Sequence, residues 1–309
     1  MTKMIDQPYA TGLTRSNIER ALADAGKQVH TLRPSDLAML EDFHSLGRLA
    51  TAALIDLAQV GRADRVLDAG TGIGGTARLI AAERGARVTA VDLTPEYCEV
   101  ANWLNDAVGL GDMIEVRTAD VTELPFEAAS FDVVLSQHVQ MNIADKRRLY
   151  AEARRVLVAG GRLALWDVTA GSRGPLRLPV PWATSPDENH LVTSERLAEL
   201  LRQAGFTTAH WNDLTEPAEK ATREFFAGEQ PPLGLHVFVP DFPTKAANLV
   251  RNLAEDRARL IQAVLTADHG HSSRAAYRSA TAGPTAPQRP YGRRVRQQAD
   301  SGGGRGNRR

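Results

Sequence analysis

Residues 66–75, VLDAGTGIGG, constrain the fold more than any other stretch of the chain. An apolar run ends at Asp68. Gly70, Gly72, Gly74 and Gly75 follow, with Thr71 and Ile73 between them, and a helix-like segment begins at once. This reads as a strand, a tight turn and a helix start. Glycines let the main chain come close to a ligand. The helix N-terminus behind them offers unpaired N–H groups and a positive dipole end, which suit a carboxylate or a phosphate. The spacing Gly70-x-Gly72-x-x-Gly75 also satisfies the dinucleotide fingerprint, so the glycines alone leave two ligand classes open.

The rest of the chain repeats the unit. Strands are expected at 65–68, 87–92, 114–118, 131–136, 162–166 after a Gly160-Gly161 turn, and 206–213, with a last apolar run at 260–265. Helices are expected at 74–84, 95–108, 146–157, 194–204 and near 244–255, and residues 16–60 are mostly helical. Strand–helix alternation with short turns argues a parallel sheet covered by helices on both faces. The Pro- and Gly-rich stretch 171–192 is long for a connection in a compact domain, and such loops often carry function.

Three acids sharpen the ligand. Asp68 stands two residues before the first glycine, where a carboxylate repels a pyrophosphate but accepts from an ammonium, directly or through water. Asp92 ends the second strand, 22 residues after Gly70, where an acid takes both ribose hydroxyls for either ligand class. Asp120 follows the third strand, in reach of an adenine amino group. An ammonium, a carboxylate, a ribose and an adenine together describe S-adenosylmethionine.

The segments DAGTGIGG, VTAVDLTPEYCEVA, ADVTELPFEAASFDVVLSQHVQMNI and ARRVLVAGGRLALWDV resemble successive motifs of the class I S-adenosylmethionine-dependent methyltransferases. FHSLGR, PVPWATSPDENHLVTSERLAELLRQAGF and LGLHVFVPDFPTKAANLVRNL are similar to segments of its small-molecule group, which includes sarcosine/dimethylglycine N-methyltransferases and ubiquinone/menaquinone C-methyltransferases. The resemblance spans roughly residues 30–266. It implies an α/β fold: a Rossmann-like, seven-stranded, mostly parallel sheet with helices on both faces and an antiparallel last strand. It carries Asp68, Gly70 and Gly72 over as methionine-end contacts, beside Thr71 and Gly74 of the same turn. Asp92 goes to the ribose, Leu93 beside the adenine, and Asp120 with Val121 to the adenine edge. Gln137 or His138 lies near the sulfonium, and Gly47 with its neighbours closes over the cofactor.

Methyl transfer from a sulfonium asks mainly for alignment and exclusion of water. A hydroxyl or carbon acceptor needs a base as well, and a neutral amine does not. His138 is the foremost base candidate, with a role in orienting Gln137 or the substrate as the alternative. Some relatives carry a histidine slightly later in this loop, where this chain has Met141 and Asn142. Nitrogen is therefore slightly preferred over oxygen as acceptor. His44 could reach the site from an N-terminal lid. Asp167 is a candidate partner for a cationic amine. Trp166 and Trp182 are candidates for an aromatic wall, although each is more often core. Two other readings stay open: an NAD(P)-dependent oxidoreductase, against which Asp68 and Asp120 speak, and a cofactor-binding module without catalysis.

Charge and composition bound the partners. Lys plus Arg and Asp plus Glu are 37 each, but residues 267–309 hold nine arginines against Asp268 and Asp300. That stretch carries a net +7 and the remainder a net −7, so nucleic acid is not expected as the main partner. It lacks Ile, Leu, Met, Phe and Trp, so a disordered basic tail is expected: a nucleic-acid arm, a solvated extension or an out-of-frame end. The expected organisation is a helical lid over 1–60, a cofactor-binding domain over 61–266 with substrate segments near 171–192 and 216–256, and the tail over 267–309. The single cysteine, Cys98, excludes a disulfide framework and a Cys-built zinc site, and no metal is expected. No signal peptide and no membrane segment is read, which makes the expected setting cytoplasmic and the expected partner a small molecule. The oligomeric state is not legible.

Overall fold

The computed structural model describes residues 11–41, 47–228 and 231–268. Seven strands form one sheet in the order β3-β2-β1-β4-β5-β7-β6. They are β1 (Arg65–Ala69), β2 (Arg87–Asp92), β3 (Ile114–Thr118), β4 (Phe131–Gln137), β5 (Leu157–Ala170), β6 (Phe206–Asp213) and β7 (Ala258–Ala267). β1 to β5 pair in parallel, and β7 runs antiparallel between β5 and β6. The expected sheet, with its antiparallel last strand, is the one found.

The helices are α1 (Thr14–Asp24), α2 (Ala38–Glu41), α3 (Gly47–Leu57), α4 (Gly75–Arg84), α5 (Pro95–Ala107), α6 (Lys146–Val156), α7 (Ser194–Gln203), α8 (Thr215–Ala227) and α9 (Phe242–Ala254). Local chemistry sets their ends. The Asp145 carboxylate accepts the Arg148 amide at 3.0 Å to open α6, and the Thr193 hydroxyl accepts the Arg196 amide at 3.3 Å to open α7. Pro95 takes the first turn of α5, where its missing N–H costs nothing.

Central strands β1 and β4 are buried nearly throughout, as a sheet covered on both faces requires. The apolar side chains fall into separate clusters. One holds Val66, Val88, Val133, Trp166 and Leu260; another holds Leu67, Val91, Val134, Leu165 and Ile261. Alternate residues of the same strands thus serve opposite faces. A third cluster joins Ile18, Leu22, Leu40, Ile73, Tyr97, Phe238 and Val239, so the N-terminal helices and the stretch before α9 meet over α5. Among the described residues no helix is long and apolar enough to cross a membrane.

Three expectations change. Gly160-Gly161 is not a turn before a strand: β5 starts at Leu157, and its pairing with β4 shifts register between Phe131 and Val133, with Gly160 at φ +75° absorbing the irregularity. α8 is a full helix within the segment read only as a substrate insertion. Among its described side chains only Ala218 is buried, so the stretch carries little apolar periodicity to read. The boundary at 267 is also too early. Ala267 is buried and paired with Phe206, and Asp268 follows it onto the sheet edge. Residues 269–309, and with them nearly all of the expected basic tail, lie outside the described residues.

Asp268 closes the edge of β6. Its amide donates to Gly205 O at 3.0 Å, its Oδ1 accepts from the Thr207 hydroxyl at 2.7 Å, and its carbonyl accepts from Arg154. A chain ending after Asp268 is expected to melt higher than one ending after Thr266. The difference should be about 3–6 °C in a calorimetric scan, from roughly 1–2 kcal/mol of lost pairing.

Candidate functional site

The sheet order reverses at β1 and β4, and a doubly wound sheet binds its ligand outside the carboxyl ends of the strands at that point. The turn after β1 crosses toward β2: the amides of Gly70 and Thr71 both donate to Val91 O, at 2.8 and 2.9 Å. Gly70 sits at φ +86°, and a Cβ there would lie 2.3 Å from Val139 Cγ2. The close approach that demands this glycine is therefore to the loop after β4. Gly75 answers to protein as well, since its Cβ would lie 2.5 Å from Glu41 Cβ.

Asp68 and Asp92 end adjacent strands on either side of this turn. Asp68 is 2% exposed, and its Oδ2 accepts the Thr71 hydroxyl at 2.6 Å. Burial pushes its carboxyl up to about 6, and the nearby Asp92 carboxylate adds to the rise. Asp92 accepts the Gly72 amide at 2.9 Å on one oxygen and the Thr94 amide at 2.9 Å on the other. The Thr94 hydroxyl and the Leu93 amide also favour its charged form. Its carboxyl too is raised by burial. Leu93, next in the chain, is a large apolar side chain 51% exposed. Asp120, beyond β3, is exposed and accepts both the amide and the hydroxyl of Thr122 at 2.8 Å. Val121 beside it is buried with Val91 and Val139.

On the β4 side, Gln137 is 9% exposed. It donates to the Thr76 hydroxyl at 2.7 Å and accepts from the Thr51 hydroxyl at 3.4 Å, so it ties α4 to α3. His138 follows in the left-handed region at φ +54°, held there by its amide donating to Trp166 O at 2.8 Å. A non-glycine residue in that region is strained, and such strain concentrates at functional sites. Gly47, also expected over the cofactor, opens α3 at φ +50°. His44 lies outside the described residues.

Two expected substrate residues take other parts. Asp167 does not line a pocket: it is 1% exposed and accepts the amides of Val168 at 2.9 Å, Gln140 at 3.1 Å and Val139 at 3.3 Å. Burial raises its carboxyl to about 7. Trp166 is wholly buried, packed with Val168, Val180 and Trp182, because it faces a covered side of the sheet. Trp182 is buried too, its indole N–H donating to Asn189 Oδ1 at 3.1 Å, but it borders a small cavity.

Sequence reasoning missed the groups that hold these loops. Lys146 Nζ donates to the carbonyls of Gln140, Ile143 and His190 at 2.9, 2.7 and 2.5 Å, and burial lowers its ammonium to about 8. Arg78, in mid-helix, pairs with Glu41 at 2.7 Å, both side chains almost wholly buried. An arginine set among the apolar residues in the middle of α4 was the available signal.

Residues 67–165 match a family described as the methyltransferase domain. The chain carries a methyltransferase domain. The acceptor set fits S-adenosyl-L-methionine, the cofactor expected from the sequence. The buried Asp68 carboxylate suits a positive charge, the half-buried Asp92 at the end of β2 suits ribose hydroxyls, and an exposed leucine suits a flat ring. The sarcosine/dimethylglycine N-methyltransferase of Halorhodospira halochloris is 31% identical over 157 residues, covering 51% of this chain and 56% of that one. The erythromycin 3''-O-methyltransferase of Saccharopolyspora erythraea is 32% identical over 165 residues, covering 50% of this chain and 54% of that one. The chain thus spans little more than half the length of these curated relatives. The fold matches that of the geranyl diphosphate C-methyltransferase of Streptomyces coelicolor A3(2), solved with S-adenosyl-L-homocysteine, at a TM-score of 0.58 and 18% identity over 71% of this chain and 78% of that one.

Asp167→Ala leaves the buried amides of Val139 and Gln140 without acceptors. It should lower the unfolding free energy by roughly 2–4 kcal/mol in urea titration, while Asp167→Asn, which keeps one acceptor oxygen, should lose less.

Proposed function

We propose that this protein transfers a methyl group from S-adenosylmethionine to a small molecule by in-line displacement, with nitrogen as the acceptor atom. The observation that carries the reading is the pair of carboxylates, the buried Asp68 and the half-buried Asp92, flanking the turn at the switch point of the sheet. In this reading Asp68 accepts from the ammonium of the cofactor, and Gly70, Thr71, Gly72 and Gly74 frame its methionine end. Asp92 takes the ribose hydroxyls. Leu93 lies against the adenine, and Asp120 with Val121 meets its edge.

The cofactor supplies a methyl group already activated by a positive sulfur. The residues around it need only align the acceptor and keep water out. A neutral amine requires no base at the transfer step, and Met141 and Asn142 in the loop after β4 offer none. Gln137 and His138 stand at the end of β4 to orient the acceptor. The second reading is a hydroxyl acceptor. His138, fixed in its left-handed conformation beside Gln137, favours it by standing where a base would be needed. The relatives support both, one by its name an N-methyltransferase and one an O-methyltransferase.

The Asp68 carboxyl, raised to about 6, is charged at pH 7 and loses its charge as the pH falls through that value. Isothermal titration with S-adenosylhomocysteine should therefore give a constant Kd above pH 7 and progressively weaker binding below pH 6. Asp68→Asn should weaken binding about tenfold at pH 7.5 and abolish the pH dependence. Affinity unchanged in both Asp68→Asn and Asp92→Ala would overturn the reading. With methyl-labelled cofactor and a mixed panel of small amines and alcohols, N-methyl products are expected. O-methyl products alone would transfer the case to His138.

A further inference from the structure

A lysine opens α6, and the helix itself gives no reason for it. The amino end of a helix is the positive end of its dipole, where an ammonium is disfavoured. Asp145 already caps that end by accepting the Arg148 amide. Lys146 is nevertheless only 4% exposed. Each of its three ammonium protons meets a carbonyl: Gln140 O at 2.9 Å, Ile143 O at 2.7 Å and His190 O at 2.5 Å. Carbonyls shut away from water without donors are costly, and one buried cation answers three of them.

Those carbonyls belong to two segments. Gln140 and Ile143 lie at the start and just past the end of a short 3-10 turn, Gln140–Asn142, in the loop after β4. His190 belongs to the 171–192 stretch, expected from the sequence to be a substrate segment. The same two segments meet again where the His190 amide donates to Met141 O at 3.0 Å. Both main-chain groups of His190 are thus engaged, one by the loop itself and one by Lys146. Asn189, beside it, accepts from the Trp182 indole at 3.1 Å. The hold on His190 therefore extends to Trp182.

The start of the loop has other anchors. The His138 amide donates to Trp166 O at 2.8 Å. Val139, against which a side chain at Gly70 would collide, gives its amide to Asp167 at 3.3 Å. Asp167 thus fixes the start of the loop against the glycine turn, and Lys146 fixes its end against the 171–192 stretch.

We infer that Lys146 is a positioning residue for the methyl acceptor: by clamping the 171–192 stretch to the loop that follows Gln137 and His138, it sets the line of attack without touching either reactant. The inference rests on the methyl-transfer reading above. A displacement of about 1 Å in the groups around a reacting pair can cost roughly a hundredfold in rate. The cofactor, held from the other end of the loop, keeps its affinity.

The test uses the full chain, S-adenosylhomocysteine as the cofactor probe, and whichever amine or alcohol of the mixed panel the wild type methylates fastest. Titration with S-adenosylhomocysteine gives the Kd and counts folded sites, so that kcat is expressed per folded site and lost protein is not mistaken for lost alignment. In Lys146→Met, kcat per site should fall about thirtyfold or more while the Kd stays within about threefold. Asn189→Ala leaves the ammonium in place and cuts only the tie to Trp182. Its kcat should fall about fivefold, again at unchanged Kd. Wild-type kcat per site in Lys146→Met overturns the inference. So does a Kd that weakens as much as kcat falls, which would assign Lys146 to the cofactor turn. If Lys146→Met yields no folded sites, Asn189→Ala decides alone, and wild-type kcat in that variant overturns the inference. A wild-type chain that takes no S-adenosylhomocysteine, or methylates nothing in the panel, fails earlier, at the methyl-transfer reading itself.

Discussion

The site depends on one buried carboxylate that touches no ligand in the proposed reaction. At the switch point the chain leaves β1 and β4 for opposite faces of the sheet, and the loop after β4 loses its strand partners. Asp167, at the end of β5, replaces them by accepting the amides of Val139 and Gln140. The Gln140 side chain donates across to Val168 O. Lys146 then gathers the carbonyls of the same loop and that of His190. Held there, Val139 presses against Gly70 so closely that any side chain at that position would collide with it. The path of the glycine turn, the placement of His138 and the anchorage of the loop carrying Trp182 all follow from this arrangement.

Two aspartates at strand ends, alike in the sequence, thus meet different fates. Asp167 is surrounded by protein donors, and Lys146 is its nearest positive charge. Asp68 has one hydroxyl partner, some relief from the Ala77 amide and distant Arg78, and another carboxylate nearby. Both are raised above the ordinary carboxylate value by burial, to about 7 and about 6. In each case the folded state holds the proton more tightly than the unfolded chain. Each therefore contributes stability that is present below about pH 4 and is lost as the pH rises through the raised value. Near neutral pH the folded chain carries that cost, and a positive charge beside Asp68 relieves it.

The fold was legible because burial on both faces of a parallel sheet leaves uninterrupted apolar runs such as FDVVLS, and turns leave glycines. The acids at the ends of the first three strands were legible for the same reason: position after an apolar run fixes them to one edge of the sheet. What a side chain meets is not encoded so locally. Asp167 and Trp166 stand at the correct edge, yet β7 pairs with β5 and the flanking segments cover them, which places both inside. α8 was missed because polar residues line most of its surface. Nothing local marks Lys245 as buried, since the loop that carries Trp182 and lies beside it is more than sixty residues away.

The glycine turn shows how a ligand motif and a packing motif can share the same residues. Arg78 donates to Ile73 O inside the turn at 2.5 Å, to Asn105 Oδ1 at 2.8 Å, to Ala101 O at 3.3 Å and to Glu41 at 2.7 Å. A Cβ on Gly74 would lie 2.8 Å from its Nη1, and one on Gly75 would strike Glu41. Two of the glycines in the motif are therefore needed to let a buried ion pair reach the turn. Its value is not net stability, since hydrophobic replacements of such pairs are often neutral. Breaking it by removing one partner strands a charge in the interior. The turn, the end of α2 and the middle of α5 consequently hold one arrangement relative to each other. A methyl donor that must be presented in line needs that fixed geometry more than it needs tight binding.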